Sequence, residues 1–484
     1  MPFAAVIGSG SASASALGSA PGSGSGSGSA PGPIPAPAQV SDSAPTPAPR
    51  SQQRWRLVGR ALTIAVLVGK HALRWWIGWL LLCVAFAGKA RRQAWFGQVV
   101  LDLFRELGAT FVKVGQIMST RPDLIPDHLS RALEHLQDDV GPFGFDATTS
   151  TIEEDFGRPY GEIFAELAPV PIASASVAQV HKARLPDGRL VAVKIRRPNV
   201  VELCAFDLAV MKRVAALLAR WPSIANLAPV AMVDEFGRAI AAQLDFRIEA
   251  ANNRRFRANF RDNPRVVFPA LVEELCTARV LTMSFIEGTK ILAAGSARFD
   301  RPRIARLGLQ VLLKMIFEDG FVHADLHPGN IFITSDEKLA LLDLGLVGEL
   351  DDHNRQNFAR FFGAWAQRDG DTMAKLMFEM SASSERPFDP DAFERYRASI
   401  IDFVGKYWGY RLGEVQVGKV LLDLLRILRK HRVRVNPTFT IVNIAIAVTE
   451  GIGKQLDPQL DLMAEALPYF LAHPVDGAGQ RSAP

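Results

Sequence analysis

The stretch FVHADLHPGNIFI, Phe321 to Ile333, sets Asp325 and Asn330 five residues apart between apolar flanks. Ten positions past that flank, in LLDLG, comes a second aspartate, Asp343. Mg²⁺ takes hard oxygen ligands, so Asn330 and Asp343 are the candidate metal ligands against a triphosphate. Asp325 would then be the base that orients an attacking hydroxyl or water. Ile331 to Ile333 and Leu339 to Leu342 read as two short buried strands joined by the polar turn Ser335-Asp336-Glu337-Lys338, a hairpin whose ends would present both ligands to one pocket. The plain alternative is a polar turn beside a buried hairpin.

Around this stretch lies a chain of 484 residues, 22% charged and 48% hydrophobic, which suits a two-lobed body with appendages. Cys83, Cys204 and Cys276 are far apart with no metal-like spacing, so a disulfide or zinc framework is not expected and a reducing compartment is. No secretory n-region precedes an apolar core, so a cytosol-facing protein is expected. The net charge of +5 is uneven: Arg50 to Leu101 holds nine basic residues and no acidic one. The body is therefore slightly acidic, and nucleic acid is not an expected partner.

Residues 1–49 are Gly, Ser, Ala and Pro with almost no charge, a composition that predicts disorder. Residues 50–98 join the basic residues to apolar runs and to five of the eight tryptophans, Trp55, Trp75, Trp76, Trp79 and Trp95. Lys70, His71 and Arg74 interrupt the apolar run and leave Trp75 to Gly88 as its longest uncharged piece, short of the roughly 20 residues that span a bilayer. An interfacial or re-entrant membrane anchor is the expectation, with tryptophans and flanking arginines among the headgroups; a tilted span and a helix packed on the body are the alternatives.

A helical extension follows over 99–165. Val99 to Met118 carries a helical period that lets Leu103, Phe104, Leu107, Phe111 and Val114 share a face. Near its end, Lys113 and Gln116 lie three apart on one side, and Gly115 between them lets another backbone approach. Residues 166–288 read as a small β-containing lobe with a helical insert. PIASASVAQVHKARLPDGRLVAVKI is strand, turn and strand about Pro186-Asp187-Gly188. Lys194 inside an apolar strand is costly unless paired, which makes it a phosphate contact in need of a carboxylate. Glu249, in DFRIEAANN, is the natural partner. Ala173-Ser174-Ala175-Ser176 stands where a nucleotide-binding lobe carries a glycine-rich loop. Arg279 to Met283 is a further buried strand before the connector Phe285 to Gly288. From 289 to 473 the pattern is a helical lobe holding the opening motif, and 474–484 reads as a flexible tail.

Taken together, KVGQ ending at Gln116, ASASVAQVH at Ala173 to His181, VAVK ending at Lys194, the run LDFRIEAAN, HADLHPGN and DLG resemble the AarF/UbiB family of atypical kinase-like proteins over roughly residues 100 to 470. The resemblance implies an α+β, two-lobed protein-kinase-like fold with an N-terminal helical extension carrying the KxGQ motif. By that match Lys113 and Gln116 cover the nucleotide, Ala173, Ser174, Ala175 and Ser176 form its loop, Met283 sits at the hinge, and Lys194 pairs with Glu249. It also implies ATP and Mg²⁺ as cofactors, ATPase or small-molecule kinase activity, and a role in ubiquinone biosynthesis or membrane lipid homeostasis. The partners it implies are a membrane lipid surface, a lipid-soluble quinone precursor or lipid, and ubiquinone-biosynthesis proteins, on the cytoplasmic side of a bacterial inner membrane. Gln243-Leu244-Asp245 departs from the family's Glu-x-Asp, so Lys113 cannot form an ion pair with position 243; a substitution by Asp245 and a looser autoinhibition are the two alternatives. A nucleotide-binding pseudokinase scaffold and a phosphotransferase with a soluble substrate are the competing functions. Ala324 stands where phosphate-switched kinases carry an arginine, so no activation-loop switch is expected.

Overall fold

Helical periodicity accounts for the first element. The computed structural model describes residues 50–119, 125–136, 141–221, 228–293, 299–381, 389–407, 417–431, 433, 437–461 and 465–466. The disorder expected for 1–49 and the tail expected for 474–484 lie outside these residues. Gln53–Pro484 forms one compact unit. Helix α1, Arg50–Val84, turns Ile64 and Leu67 inward against Leu107, Phe111, Val210 and Met211. Val58, Leu62, Val66, Leu73, Ile77, Leu80 and Val84 recur at spacings of three, four and, from Val66 to Leu73, seven residues on the other side and are exposed. Among the described residues no helix is long and apolar enough to cross a membrane.

Three charges of α1 are answered within the chain. Arg60 Nε lies 2.6 Å from Asp207, Lys70 Nζ 2.8 Å from Glu106 and Arg74 Nη2 2.9 Å from Asp102. Three of the nine basic residues of the segment thus face acids that lie too far along the chain to be matched by pattern.

Val99 to Met118 is two helices, not one. Lys89–Leu107 (α2) ends at Gly108, with φ +94°, and Ala109–Ser119 (α3) restarts the chain. Both bury the same apolar face, so the period runs through the break without marking it. A boundary between residues 98 and 99 therefore cuts through α2. Gly115 admits side chains rather than a backbone: a Cβ there would meet Leu136 Cδ1 at 2.2 Å and Phe104 Cδ2 at 2.7 Å. Asp127–Leu133 (α4), Phe145–Phe156 (α5) and Tyr160–Ile163 (α6) complete the extension.

Alternating burial builds the smaller lobe. Glu166–Leu167 (β1), Ala173–Ser174 (β2), Ala178–Arg184 (β3) and Leu190–Arg196 (β4) are followed by the helices Val200–Leu218 (α7), Pro229–Leu244 (α8) and Phe246–Asn259 (α9). Val266–Val267 (β5), Leu271–Cys276 (β6) and Val280–Ser284 (β7) come next. The six-stranded sheet runs β1-β3-β4-β7-β6, with β2 paired to β3 and β5 outside it. In β3 and β4 alternate side chains are buried, His181 faces Val193 in register, and Gly188 takes φ +87° in the turn, a left-handed value that glycine adopts without strain.

The larger lobe is helical with short strands at its mouth. After Thr289–Lys290 (β8), Arg301–Leu313 (α10) starts on an Asp300 side chain that accepts the Arg303 N–H, an N-cap that satisfies an orphan donor. Lys314–Glu318 continues it as a π-turn. Gly320, at φ +58°, then brings the chain so close that a Cβ would sit 2.6 Å from Leu350 O. Phe321–His323 (β9), Ile331–Ile333 (β10), Leu339–Leu341 (β11) and Val347–Glu349 (β12) follow. Helices Asp352–Ala366 (α11), Gly370–Glu379 (α12), Pro390–Tyr407 (α13), Val417–Lys430 (α14) and Pro437–Leu456 (α15) pack into one large apolar core. The architecture is α+β and two-lobed, as in protein kinases.

Candidate functional site

Hairpin geometry assembles the site. β10 and β11 pair antiparallel with Ile331 opposite Leu341, and the Leu342 N–H donates to Asn330 O at 3.1 Å. Asn330 and Asp343 therefore leave adjacent ends of one hairpin. Asn330 Nδ2 donates to Asp325 O at 3.1 Å, which fixes the amide's orientation and leaves its Oδ1 as the free oxygen. Asp325 is exposed.

Lys194 joins the two lobes. On β4, its Nζ lies 2.8 Å from Glu249 Oε2 on α9 and 3.3 Å from Asp343 Oδ2, over the Phe246 ring at 5.4 Å. Burial works against its charge, but Asp343 and Glu249 outweigh that and hold the ammonium above the ordinary lysine pKa. Desolvation likewise pushes Asp343 up, and Lys194, the Gly345 N–H at 3.1 Å and the charge of Lys113 together bring it far below the usual carboxylate range. Glu249 moves the other way: burial raises it, Lys194 opposes this and Asp343 reinforces it. One ammonium thus serves two carboxylates.

His323 was not singled out from the sequence. It is fully buried, accepts the Asp325 N–H on Nδ1 at 3.0 Å and approaches Asp343 O with Nε2 at 2.5 Å. These contacts require the Nε2–H tautomer, and burial lowers its pKa. One neutral ring therefore ties the backbone of the candidate base to that of the candidate metal ligand. Asn252 adds a second tie from α9, its Nδ2 donating to Leu344 O at 2.9 Å. The histidine was visible two positions before Asp325 in the motif; Asn252 sat three after Glu249, on a helical face that sequence reading assigned no role.

The extension reaches the site unevenly. Lys113 on α3 acts on Asp343 through its charge, while Gln116 Nε2 donates to Leu136 O at 3.2 Å, within the extension itself. Asp245 caps α9 through the Arg247 N–H and pairs with Arg247 Nη2 at 2.8 Å. Ala173 and Ser174 form β2 against Val180 and Gln179, and Ser176 is buried. Met283 is buried on β7 between Ala192 and Leu271. Past Gly345 the chain passes directly into β12, paired with β9, and no Ser, Thr or Tyr occurs before Thr372.

The oxygen set fits Mg²⁺, which is ordinarily bound by one or two carboxylates together with substrate phosphates rather than by an all-protein cage. Among the described residues no group of three His, Cys, Asp or Glu could hold a metal ion; Asn330 with Asp343 supplies one amide oxygen and one carboxylate.

The ABC1 atypical kinase-like domain matches residues 135–377, and the UbiB helical domain matches residues 400–461. The "Probable protein kinase UbiB" of Marinobacter nauticus is 36% identical over 373 residues, which is 75% of this chain and 68% of that protein. A solved erythromycin complex of a Mycobacterium tuberculosis protein is 24% identical with a TM-score of 0.47, covering 74% of this chain and 91% of that one.

Proposed function

The chain belongs to the AarF/UbiB family of atypical kinase-like proteins, and from that premise we propose that it binds ATP with Mg²⁺ between its lobes and acts as an ATPase or small-molecule kinase. Its place would be the cytoplasmic face of a membrane, in support of ubiquinone biosynthesis or membrane lipid homeostasis. The observation that carries the reading is the single ammonium of Lys194 shared by Glu249 and Asp343 beside the Asp325 and Asn330 loop. Lys194 would contact phosphate oxygens, Asn330 Oδ1 and Asp343 would hold the metal, and Asp325 would accept the proton of the attacking hydroxyl or water. Mg²⁺ supplies neutralisation of phosphate charge when bound.

The test is Mg²⁺-dependent ATP turnover by the full chain beside Asp325→Asn. Loss of about 10²- to 10⁴-fold is expected in the variant, with nucleotide binding retained. Equal turnover by both proteins would remove Asp325 from the chemistry. A second reading, a pseudokinase scaffold for a biosynthetic complex, is favoured by one feature: Lys113 of the extension adds its charge to that of Lys194 at Asp343. Nucleotide bound by both proteins and turned over by neither would select it.

Membrane attachment rests on the exposed apolar face of α1. Arg60, Lys70 and Arg74 are occupied by acids of the body, so attachment would be driven by apolar burial more than by charge. The chain is expected to float with neutral phosphatidylcholine vesicles and to remain bound in 0.5 M NaCl, about three times physiological ionic strength. Release by that salt would transfer the role to the basic residues at the ends of the segment.

A further inference from the structure

We propose that Arg197 is the positioning residue that holds the Ala173–Ser176 loop in its phosphate-receiving shape; the inference rests on the nucleotide reading of that loop. Arg197 follows the last residue of β4, where Ala178 and Arg196 close the β3-β4 register. Its N–H donates to Val177 O at 2.8 Å. Its Nη2 reaches Ala175 O at 3.0 Å, Ser174 Oγ at 3.4 Å and Gly141 O at 3.0 Å, and the guanidinium lies over the Phe143 ring at 5.2 Å.

The contacts set the direction of the loop's peptide planes. In a trans peptide the carbonyl and the following N–H point in opposite directions. Drawing Ala175 O and Val177 O onto Arg197 therefore turns the Ser176 and Ala178 N–H groups away from it. Ala175 N–H closes the turn on Ala178 O at 2.7 Å. A glycine-rich loop has the freedom to find such a shape on binding a nucleotide; an Ala/Ser loop has less, so the shape must be held in advance.

Arg197 also brings charge. Among the described residues it has no carboxylate partner, and burial alone pulls its pKa down. An uncompensated guanidinium behind a loop favours anions in front of it. The same clamp reaches the extension. Gln179 on β3 accepts the Phe143 N–H at 3.1 Å and donates to Thr148 Oγ1 at 2.9 Å, so the segment from Gly141 to Phe143 is fastened to the loop hairpin at two points. A lysine at 197 could keep the charge but not the planar fork that serves several oxygens at once.

The experiment uses the full chain, Arg197→Gln and Arg197→Lys, with adenosine, AMP and ATP titrated in the presence of Mg²⁺. The expected result is unchanged adenosine affinity, with ATP affinity down about tenfold or more in Arg197→Gln and by less in Arg197→Lys, in the range of charge-assisted contacts. Hydrogen exchange without nucleotide is expected to accelerate at 141–143 and 175–178 in both variants and not in β7. Equal losses for adenosine and ATP would reduce Arg197 to general support of the lobe. Unchanged ATP affinity or unchanged loop exchange would overturn the proposal. Wild-type chain that binds no adenine ligand, with loop exchange altered as expected, would instead overturn the nucleotide reading and take the phosphate role of Arg197 with it.

Discussion

Asp343→Asn is expected to reduce Mg²⁺-dependent ATP turnover by about 10²- to 10³-fold or more, the scale of losing one fixed electrostatic group in a catalytic site. Asparagine keeps the shape and can still accept the Gly345 N–H, but it neither binds a divalent cation strongly nor answers the ammonium of Lys194. The variant also has a signature in stability. Asp343 is held below its unfolded value, near 3.9, so its contribution is fully present above that pH and lost as pH falls through the folded value. Glu249, raised by burial, pulls the other way. Wild type is therefore expected to lose more stability than Asp343→Asn between about pH 4 and pH 2, the window below the unfolded aspartate value. Denaturant titrations across that range check it. Parallel acid limbs would show that Asp343 is not held in its ionised form.

Parts of this site were legible because they repeat a local pattern. The five-residue step from Asp325 to Asn330 and the short strands around Asp343 lie within one hairpin, whose pairing follows from the β-branched and apolar runs on either side of a polar turn. Lys194 was legible by a different route, since a lysine on the buried alternation of β4 demands a carboxylate. What stayed hidden depends on distance along the chain. Arg60 meets Asp207 across 147 positions, and Arg197 meets Gly141 across 56; neither has a spacing to read. Gly108 was hidden for the opposite reason, because α2 and α3 bury one shared face and the apolar period continues across the break. The acids that meet Arg60, Lys70 and Arg74 on α1 were hidden in the same way, each lying tens of positions or more along the chain.

Lys194→Met should cost about 3–5 kcal/mol of stability at neutral pH, the range for breaking a buried ion pair by removing one partner. Lys194 and Glu249 are largely buried, with side-chain exposures of 14% and 6%. Without the ammonium, Glu249 loses its cation and Asp343 keeps the charge of Lys113. Burial and Asp343 already raise Glu249, and in the variant nothing on β4 opposes them. A carboxyl whose folded pKa lies above its unfolded value, near 4.3, binds more protons in the folded state over the interval between the two. Its stability falls as pH rises through that interval. Lys194→Met is therefore expected to be more stable at pH 5 than at pH 7.5. In wild type the raised lysine contributes stability that persists through both pH values and is lost only as pH rises through its folded pKa. Adding Glu249→Gln to the variant removes the stranded acid and should restore much of the loss and flatten the pH dependence. Chemical denaturation of the three proteins at the two pH values decides it: a Lys194→Met chain of wild-type stability at pH 7.5 would mean that the Glu249 carboxylate is solvated without its partner and that the shared ammonium does not hold the lobes together.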